Sequence, residues 1–537
     1  MKLIQDVSGK KILGSFYTPE NISDFILKWC MNGNESMDIL EPSCGDGAFL
    51  SSLKRGGYKF NSVLGIEINK FEAEKAAHIN IKNAKIINSE FLSYCVQTKE
   101  RFDLVIGNPP FIRYQYFDKD QQTSAEKIYE MAGLKYSKLS NPWVSFIVGS
   151  SLLLKERGKI GFVVPAEILQ VGYAAQLRNF LSRFYNKIVV LSFKKLIFPD
   201  VQQEVVILLC EKGGNENHLI EHVELESSSS LAEVDVNELK SPSKKIDFLS
   251  NKWTFYFLEQ EEIDFIENLK RSGKVPEFNQ FAKAEVGITM GFNDFFTVTE
   301  DIVNKYDLSE YAKPLVGRGI QLKGTIFNQD DWKENVNSGA RAFFLSFPTL
   351  WELKANYKAM KYLQLGLKEQ INKKFYKLRI RDEWQIVPSA RTSSLLFQRR
   401  NNIHPKLVLN EADAYTTDTM HRISIKHGIK PDAFSASYYN SLSLAMTEIS
   451  GRSHGGGALE LMPNEVEKVL IPYRAENAKI IGDIDKMFRN GYNIEQILEF
   501  TDPIILEDGF GFSPNETRLC NNIWKKLLSR RMNRKRT

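Results

Sequence analysis

The residues best suited to chemistry in this chain are Asn108-Pro109-Pro110-Phe111, which directly follow the apolar run Phe102-Asp103-Leu104-Val105-Ile106-Gly107. That run reads as a strand, and ligands of open α/β sheets gather at the carboxyl ends of strands. Asn108 offers a side-chain oxygen and Pro109 a carbonyl. Two acceptors suit an amine whose lone pair is delocalised into a ring. Bonding its hydrogens favours a pyramidal nitrogen and stabilises the charge that develops as it attacks. The exocyclic amine of adenine is such a group. Pro109 and Pro110 restrict the backbone, so the acceptors stand ready before substrate arrives. Phe111 offers a ring face to a base and π-density to a cationic methyl donor. The transfer needs no covalent nucleophile.

A second group follows the strand-like Asp38-Ile39-Leu40. It is Glu41-Pro42-Ser43-Cys44-Gly45-Asp46-Gly47, leading into Ala48-Phe49-Leu50. Gly45 and Gly47 allow a sharp turn and a close ligand approach. Glu41 is the telling residue. A dinucleotide loop presents amides to a pyrophosphate, whereas a carboxylate complements the ammonium and sulfonium of S-adenosylmethionine. Taken alone, the loop also fits an ordinary βα turn. The next strand, Val63 to Ile66, ends at Glu67, placed about 20 residues after the glycine turn to accept from ribose hydroxyls; it equally suits a helix start. Ile68 beside it joins the expected cofactor set. A third strand, Lys85 to Ile87, leads to Glu90 and Phe91, expected at the cofactor's adenine amine and ring.

These groups need a scaffold that brings strand ends together. Strand-like runs at 38–40, 63–66, 85–87, 102–106, 160–164, 188–191 and 204–209 alternate with helical patterns at 20–29, 70–77, 143–155 and 174–184. The alternation predicts an α/β, doubly wound, Rossmann-like sheet. Turn-rich segments from 211 to 250 suggest a linker. We expect a catalytic domain over 1–245 and a mixed α+β domain over 246–537.

The order of motifs resembles gamma-class amino-methyltransferases of DNA. Gly14-Ser15-Phe16-Tyr17-Thr18-Pro19 comes first, then the Glu41–Gly47 loop, Glu67, Glu90-Phe91 and Asn108–Phe111. The resemblance implies adenine-N6 methylation of double-stranded DNA, S-adenosylmethionine as cofactor, and a C-terminal target-recognition domain. It places Tyr17 and Thr18 in the cofactor pocket, with Glu41, Ser43, Cys44, Gly45 and Gly47. It places Phe198, in Leu196-Ile197-Phe198-Pro199-Asp200, against the extruded adenine; a core position in a hairpin is the alternative. Gly161-Phe162-Val163-Val164-Pro165, Val286–Gly291 and Gly451–Leu459 extend the likeness. One departure is Glu90, where the family usually carries Asp. Members fused to a nuclease carry it before the Tyr-Thr-Pro motif; about a dozen residues precede that motif here, so no endonuclease activity is expected.

Composition agrees with a globular chain: 537 residues, 43% hydrophobic, 26% charged, net charge +5. Five scattered cysteines argue against a disulfide framework or a zinc cage, and no metal site is expected. No apolar run reaches the roughly 20 residues of a membrane span, and a cytoplasmic monomer is expected. Charge is uneven: residues 351–430 hold 16 Lys/Arg against 7 Asp/Glu, and Lys525–Arg536 holds seven basic residues and no acid. Such charge fits a phosphate backbone, although a solvated face explains it too. Lys377, Arg379, Arg381 and Arg391 are expected on DNA. Arg452 and His454 could reach it, or their glycine neighbours could simply shape a turn. The basic tail reads as a disordered or helical surface segment rather than a sequence reader.

Several alternatives stay open at this stage. A protein glutamine or a ribosomal RNA amine could be the acceptor, although nearly 290 residues after the linker favour DNA. Cytosine is a rival base, whose enzymes more often carry Ser in place of Asn108. A recognition subunit with an inactive methylase fold is the non-enzymatic reading. Partners beyond DNA are a separate restriction endonuclease, another defence component, or none.

Overall fold

The computed structural model describes residues 18–32, 36–112, 114–138, 140–195, 197, 204–213, 218–240, 244–246, 252–388, 390–454 and 457–533. The chain forms two compact units that divide between Ile263 and Asp264, inside the helix Gln260–Ser272.

The first unit is built on a nine-stranded sheet. Its strands are β1 (Asp38–Glu41), β2 (Ser62–Glu67), β3 (Ala84–Asn88), β4 (Phe102–Gly107), β5 (Leu154–Pro165), β6 (Lys187–Phe193), β7 (Val205–Glu211), β8 (Leu219–Leu225) and β9 (Lys244–Lys245). They lie in the order 3-2-1-4-5-7-6-8-9. Strands β3, β2, β1, β4 and β5 are parallel, and β7 runs antiparallel between β5 and β6. The alternation of strand and helix in the sequence dictates this Rossmann-like arrangement. The order reverses at β1, whose neighbours are β2 and β4, so the ligand crevice of such a sheet falls at the carboxyl ends of β1 and β4.

Helices cover the sheet: α1 (Glu20–Cys30), α2 (Ala48–Arg55), α3 (Lys70–His78), α4 (Phe91–Gln97), α5 (Lys119–Met131), α6 (Pro142–Leu152) and α7 (Ala175–Phe184). In α1, Ile22, Phe25, Ile26 and Trp29 recur at helical spacing and are buried. In α6, every residue from Pro142 to Ser151 is buried. This apolar run is therefore a core helix, with Pro142 at its first turn. At the amino ends of β1 and β4, Lys155 Nζ reaches Asp38 (2.7 Å) and Asp103 (2.9 Å), and Asp103 also accepts from the Asp38 amide. This triad ties three strands together at the edge opposite the crevice.

The segment expected as a linker extends the sheet instead. The run Leu219–Leu225 pairs with β6 as β8 and is followed by β9. Lys244 Nζ donates to the Tyr256 carbonyl (2.9 Å), and His222 meets Phe257 edge-on. The chain therefore stays with the first unit beyond residue 245.

The second unit is mixed α and β. Its largest sheet joins Ala282–Val286, Met420–Ile425, Leu395–Gln398, Leu407–Asn410 and Ile326–Phe327 in that order. Its last helix, Pro514–Met532, holds the described part of the basic tail, with Lys525 exposed and Arg531 buried. Arg531 is 3% exposed, forms a two-bond ion pair with Glu448, and donates to the carbonyls of Asn402 and Gly457. No helix among the described residues is long and apolar enough to cross a membrane.

Candidate active site

The carboxyl ends of β1, β2 and β4 bring the two central motifs together. After β1 the chain turns through Gly45 (φ 53°) and Gly47 (φ 90°) into α2. A side chain at Gly47 would strike Ile79 Cδ1 at 2.2 Å and Ala76 Cα at 3.3 Å, whereas Gly45 faces open space. Only glycine fits the first position, and the second leaves room for a ligand against the backbone. Gly65 on β2 lies close against the turn: a Cβ there would lie 3.2 Å from Cys44 Sγ and 2.6 Å from Ile86 Cδ1, so both side chains would have to shift.

Glu67 closes the loop from the other side. Its carboxylate accepts from the amides of Gly45 (2.9 Å) and Asn69 (2.8 Å), so the end of β2 and the glycine turn move as one piece. Ile68 next to it is 59% exposed, an apolar surface at the mouth of the crevice. Asn88 at the end of β3 donates to the carbonyls of Glu67 and Ile68.

Glu41 is 2% exposed, and its Oε2 has no hydrogen-bond partner among the described residues. Burial pushes its carboxyl pKa well above the usual range, and the charges of Glu67 and Asp46 push it further. A buried carboxyl of this kind lacks a cation. The ammonium of S-adenosylmethionine supplies one, so the donor set fits this cofactor. Cys44 is also buried, and burial raises its thiol pKa far from reactive values.

The catalytic loop is anchored to the same turn. Ser43 Oγ donates to the Asn108 carbonyl (3.3 Å), joining the end of β4 to the β1 loop. Asn108 is half-buried, Pro109 is buried, and Phe111 leans on the core beneath. Thr18 is buried just ahead of α1. Tyr17 and Phe198 lie outside the described residues.

Most other expected residues have protein partners of their own. Glu90 caps α4, accepting from the amides of Leu92 (2.9 Å) and Ser93 (2.7 Å). Phe91 is 2% exposed and packs against Phe146, so the structure places it in the core. In the second unit, Lys377 and Arg379 are exposed, the latter beside the Tyr376 ring. Arg381 is pinned to the carbonyls of Met290 and Trp384. Arg391 pairs with Glu285, and Arg452 with Glu465. Arg452–His454 pairs antiparallel with Ala458–Glu460. The sequence reading missed the Ser43–Asn108 bond and the Lys155 triad. Asp38 and Asp103 are visible as acids flanking strands, but their shared partner is not.

A parallel sheet with a glycine turn after its first strand and Asn-Pro-Pro-Phe after its fourth defines a class I S-adenosylmethionine-dependent methyltransferase fold. Residues 48–198 match the family model of the Eco57I restriction-modification methylase, and residues 250–506 match that of the C-terminal domain of the Type II methyltransferase M.Eco57I. The chain is 23% identical over 481 residues to the Type II methyltransferase M.AccI of Acinetobacter calcoaceticus, across 86% of this chain and 85% of that one. It is 31% identical over 239 residues to the Type II methyltransferase M.HincII of Haemophilus influenzae, across 44% of each. A solved methyltransferase subunit of a type I restriction-modification system from Streptococcus thermophilus matches 48% of this chain and 53% of that one, at 19% identity and a TM-score of 0.34. The chain is a methyltransferase of restriction-modification type, and S-adenosylmethionine is its cofactor.

Proposed function

We propose that this protein methylates the N6 amine of adenine at specific sites in double-stranded DNA, by direct transfer to a base flipped out of the helix. The observation that carries the reading is the bond from Ser43 Oγ to the Asn108 carbonyl. It holds an amine-binding motif against a loop suited to a cationic methyl donor. When bound, S-adenosylmethionine supplies the electrophilic methyl on its sulfonium. Glu41, Glu67 and the Gly45 backbone would hold it. Asn108 and the Pro109 carbonyl accept from the target amine and free its lone pair. The alkylated nitrogen then sheds a proton to water. Phe111 and Phe198 stack on the extruded base and offset part of the few kcal/mol that flipping costs.

The second unit is read as the target-recognition domain. The names of M.AccI and M.HincII, both Type II methyltransferases, support a DNA substrate. Exposed Lys377 and Arg379 are assigned to phosphates. Arg381, Arg391 and Arg452 keep DNA contacts only by sharing or leaving their present partners. A separate restriction endonuclease is the natural companion.

The test is to incubate the purified protein with plasmid DNA and S-adenosylmethionine, digest the product and quantify modified nucleosides. N6-methyladenine is expected. N4-methylcytosine in its place would reassign the base, and no modified base would remove the reading. An Asn108→Ala variant is expected to lose at least about 100-fold in rate, as for removal of a preorganised acceptor, while cofactor binding persists.

A further inference from the structure

The most exposed large apolar side chain among the described residues is Ile320, at 90%. Single exposed apolar residues are ordinary, but this one sits on a backbone that many bonds hold still. The Gln321 side chain is buried beneath it and accepts from the amides of Gly317 (2.7 Å) and Arg318 (2.8 Å). The Gly317 carbonyl accepts from Thr419 Oγ1 (2.8 Å) and Thr417 Oγ1 (3.2 Å). Gln398 Nε2 donates to the Gly319 carbonyl (3.3 Å), and Asn335 donates to that of Gln321 (3.2 Å). The clamp draws on three other segments of the second unit. It leaves the Ile320 side chain facing outward.

The surroundings select the partner. Arg318 is exposed and has no ion-pair partner among the described residues. Gly319, immediately before Ile320, adds no side chain to the tip, and a Cβ there would lie 2.5 Å from Gln398 Nε2, which would have to shift. Gly317 adds a second position without a side chain. The tip is therefore narrow, basic at its shoulder and apolar at its apex. A protein interface needs about 800 Å² per partner, which one isoleucine among polar neighbours does not offer. A slot between stacked bases flanked by phosphates matches it. Apolar side chains, isoleucine among them, enter such slots and unstack base steps. Isoleucine is stiff about χ1, so a fixed backbone presents it with little freedom left to lose.

We propose that the Gly317–Gln321 tip is a wedge that enters the DNA duplex, with Ile320 lodged between base pairs and Arg318 on an adjacent phosphate. The proposal rests on the reading of DNA as substrate.

The test uses the full-length protein. Long-read mapping of methylated plasmid first locates the target site. Duplexes carrying that site are then made with 2-aminopurine at each position other than the target base. Wild type is expected to brighten the probe at one step or two neighbouring ones. Ile320→Ala is expected to lose that signal and to weaken duplex binding about tenfold, with S-adenosylmethionine affinity unchanged, while Ile320→Leu retains the signal. Arg318→Ala is expected to weaken binding and lower the salt slope by about one. The wedge is overturned if wild type methylates DNA yet brightens no non-target position, or if Ile320→Ala keeps the signal. If wild type methylates no DNA, the substrate reading fails first and takes the wedge with it.

Discussion

Replacing Glu41 with Gln should separate cofactor recognition from folding, because one buried carboxyl serves the first at the expense of the second. Glu41 is 2% exposed, and its Oε2 lacks a partner among the described residues. Burial, then Glu67 and Asp46, raise its pKa above the ordinary 4.5. The ammonium of S-adenosylmethionine would favour the charged form, so binding should release a proton. Between the ordinary and raised values, affinity should climb with pH by up to about tenfold per unit, one proton's worth. A hydrogen bond to a charged group contributes about 1.5–3 kcal/mol. Loss of the charge in Glu41→Gln should therefore weaken binding about 10- to 150-fold. Calorimetric titration at pH 5 to 7, in buffers of differing ionisation heat, reads both effects. Stability should move the other way. Folding raises the Glu41 pKa, so its contribution is fully present below about pH 4.5 and fades as pH rises through the folded value. At neutral pH the cofactor-free Glu41→Gln protein should melt higher than wild type. Wild-type affinity in the variant, with buffer-dependent heats intact, would refute the assignment.

The remaining predictions address the other assignments. Glu90→Ala removes the cap of α4 and should cost about 0.5–2 kcal/mol by chemical denaturation; a change in cofactor affinity much larger than that would instead support the adenine contact. Gly287→Ala places a Cβ 2.0 Å from the Thr417 carbonyl and should disrupt the pairing of Ile288 with that turn; filter binding should show DNA affinity falling while cofactor binding persists. Arg531→Ala strands a buried Glu448 and should destabilise by about 3–5 kcal/mol, visible as a lower unfolding midpoint, whereas replacing both partners with apolar residues should restore much of the loss. Lys377→Ala and Arg379→Ala should each reduce the salt slope of DNA binding by about one, and Arg391→Ala, already paired with Glu285, by less.

How much of this was legible depends on how local the signal is. Strands β1, β2 and β4 are apolar runs ending at Glu41, Glu67 and Gly107, and each functional residue sits within a few positions of its strand's end. A parallel sheet turns such local patterns into a shared site, because all those ends lie on one edge. The motifs around Asn108 and the Glu41–Gly47 loop could therefore be found without knowing a single contact. Glu90 shows the limit of that approach. A carboxylate before a helix looks the same in sequence whether it caps α4 or faces a ligand, and only its bonds to Leu92 and Ser93 show the cap. The same holds for Phe91, whose buried ring cannot be told from a stacking ring by its position. In β8, glycines before the strand and serines after it read as turns, and the run Leu219 to Leu225, with only Ile220 buried, carries little hydrophobic signal of its own. The second unit is harder still. Its strands run two to six residues, and Ala282–Val286 pairs with Met420–Ile425 across well over a hundred residues of chain. Nothing local announces such a pair. Charge there misleads in a consistent way: Arg391 and Arg531 contribute to the basic counts, yet each is paired with an acid distant in sequence. A run of cations in the sequence measures how many are present, and only the fold decides which remain available to a phosphate.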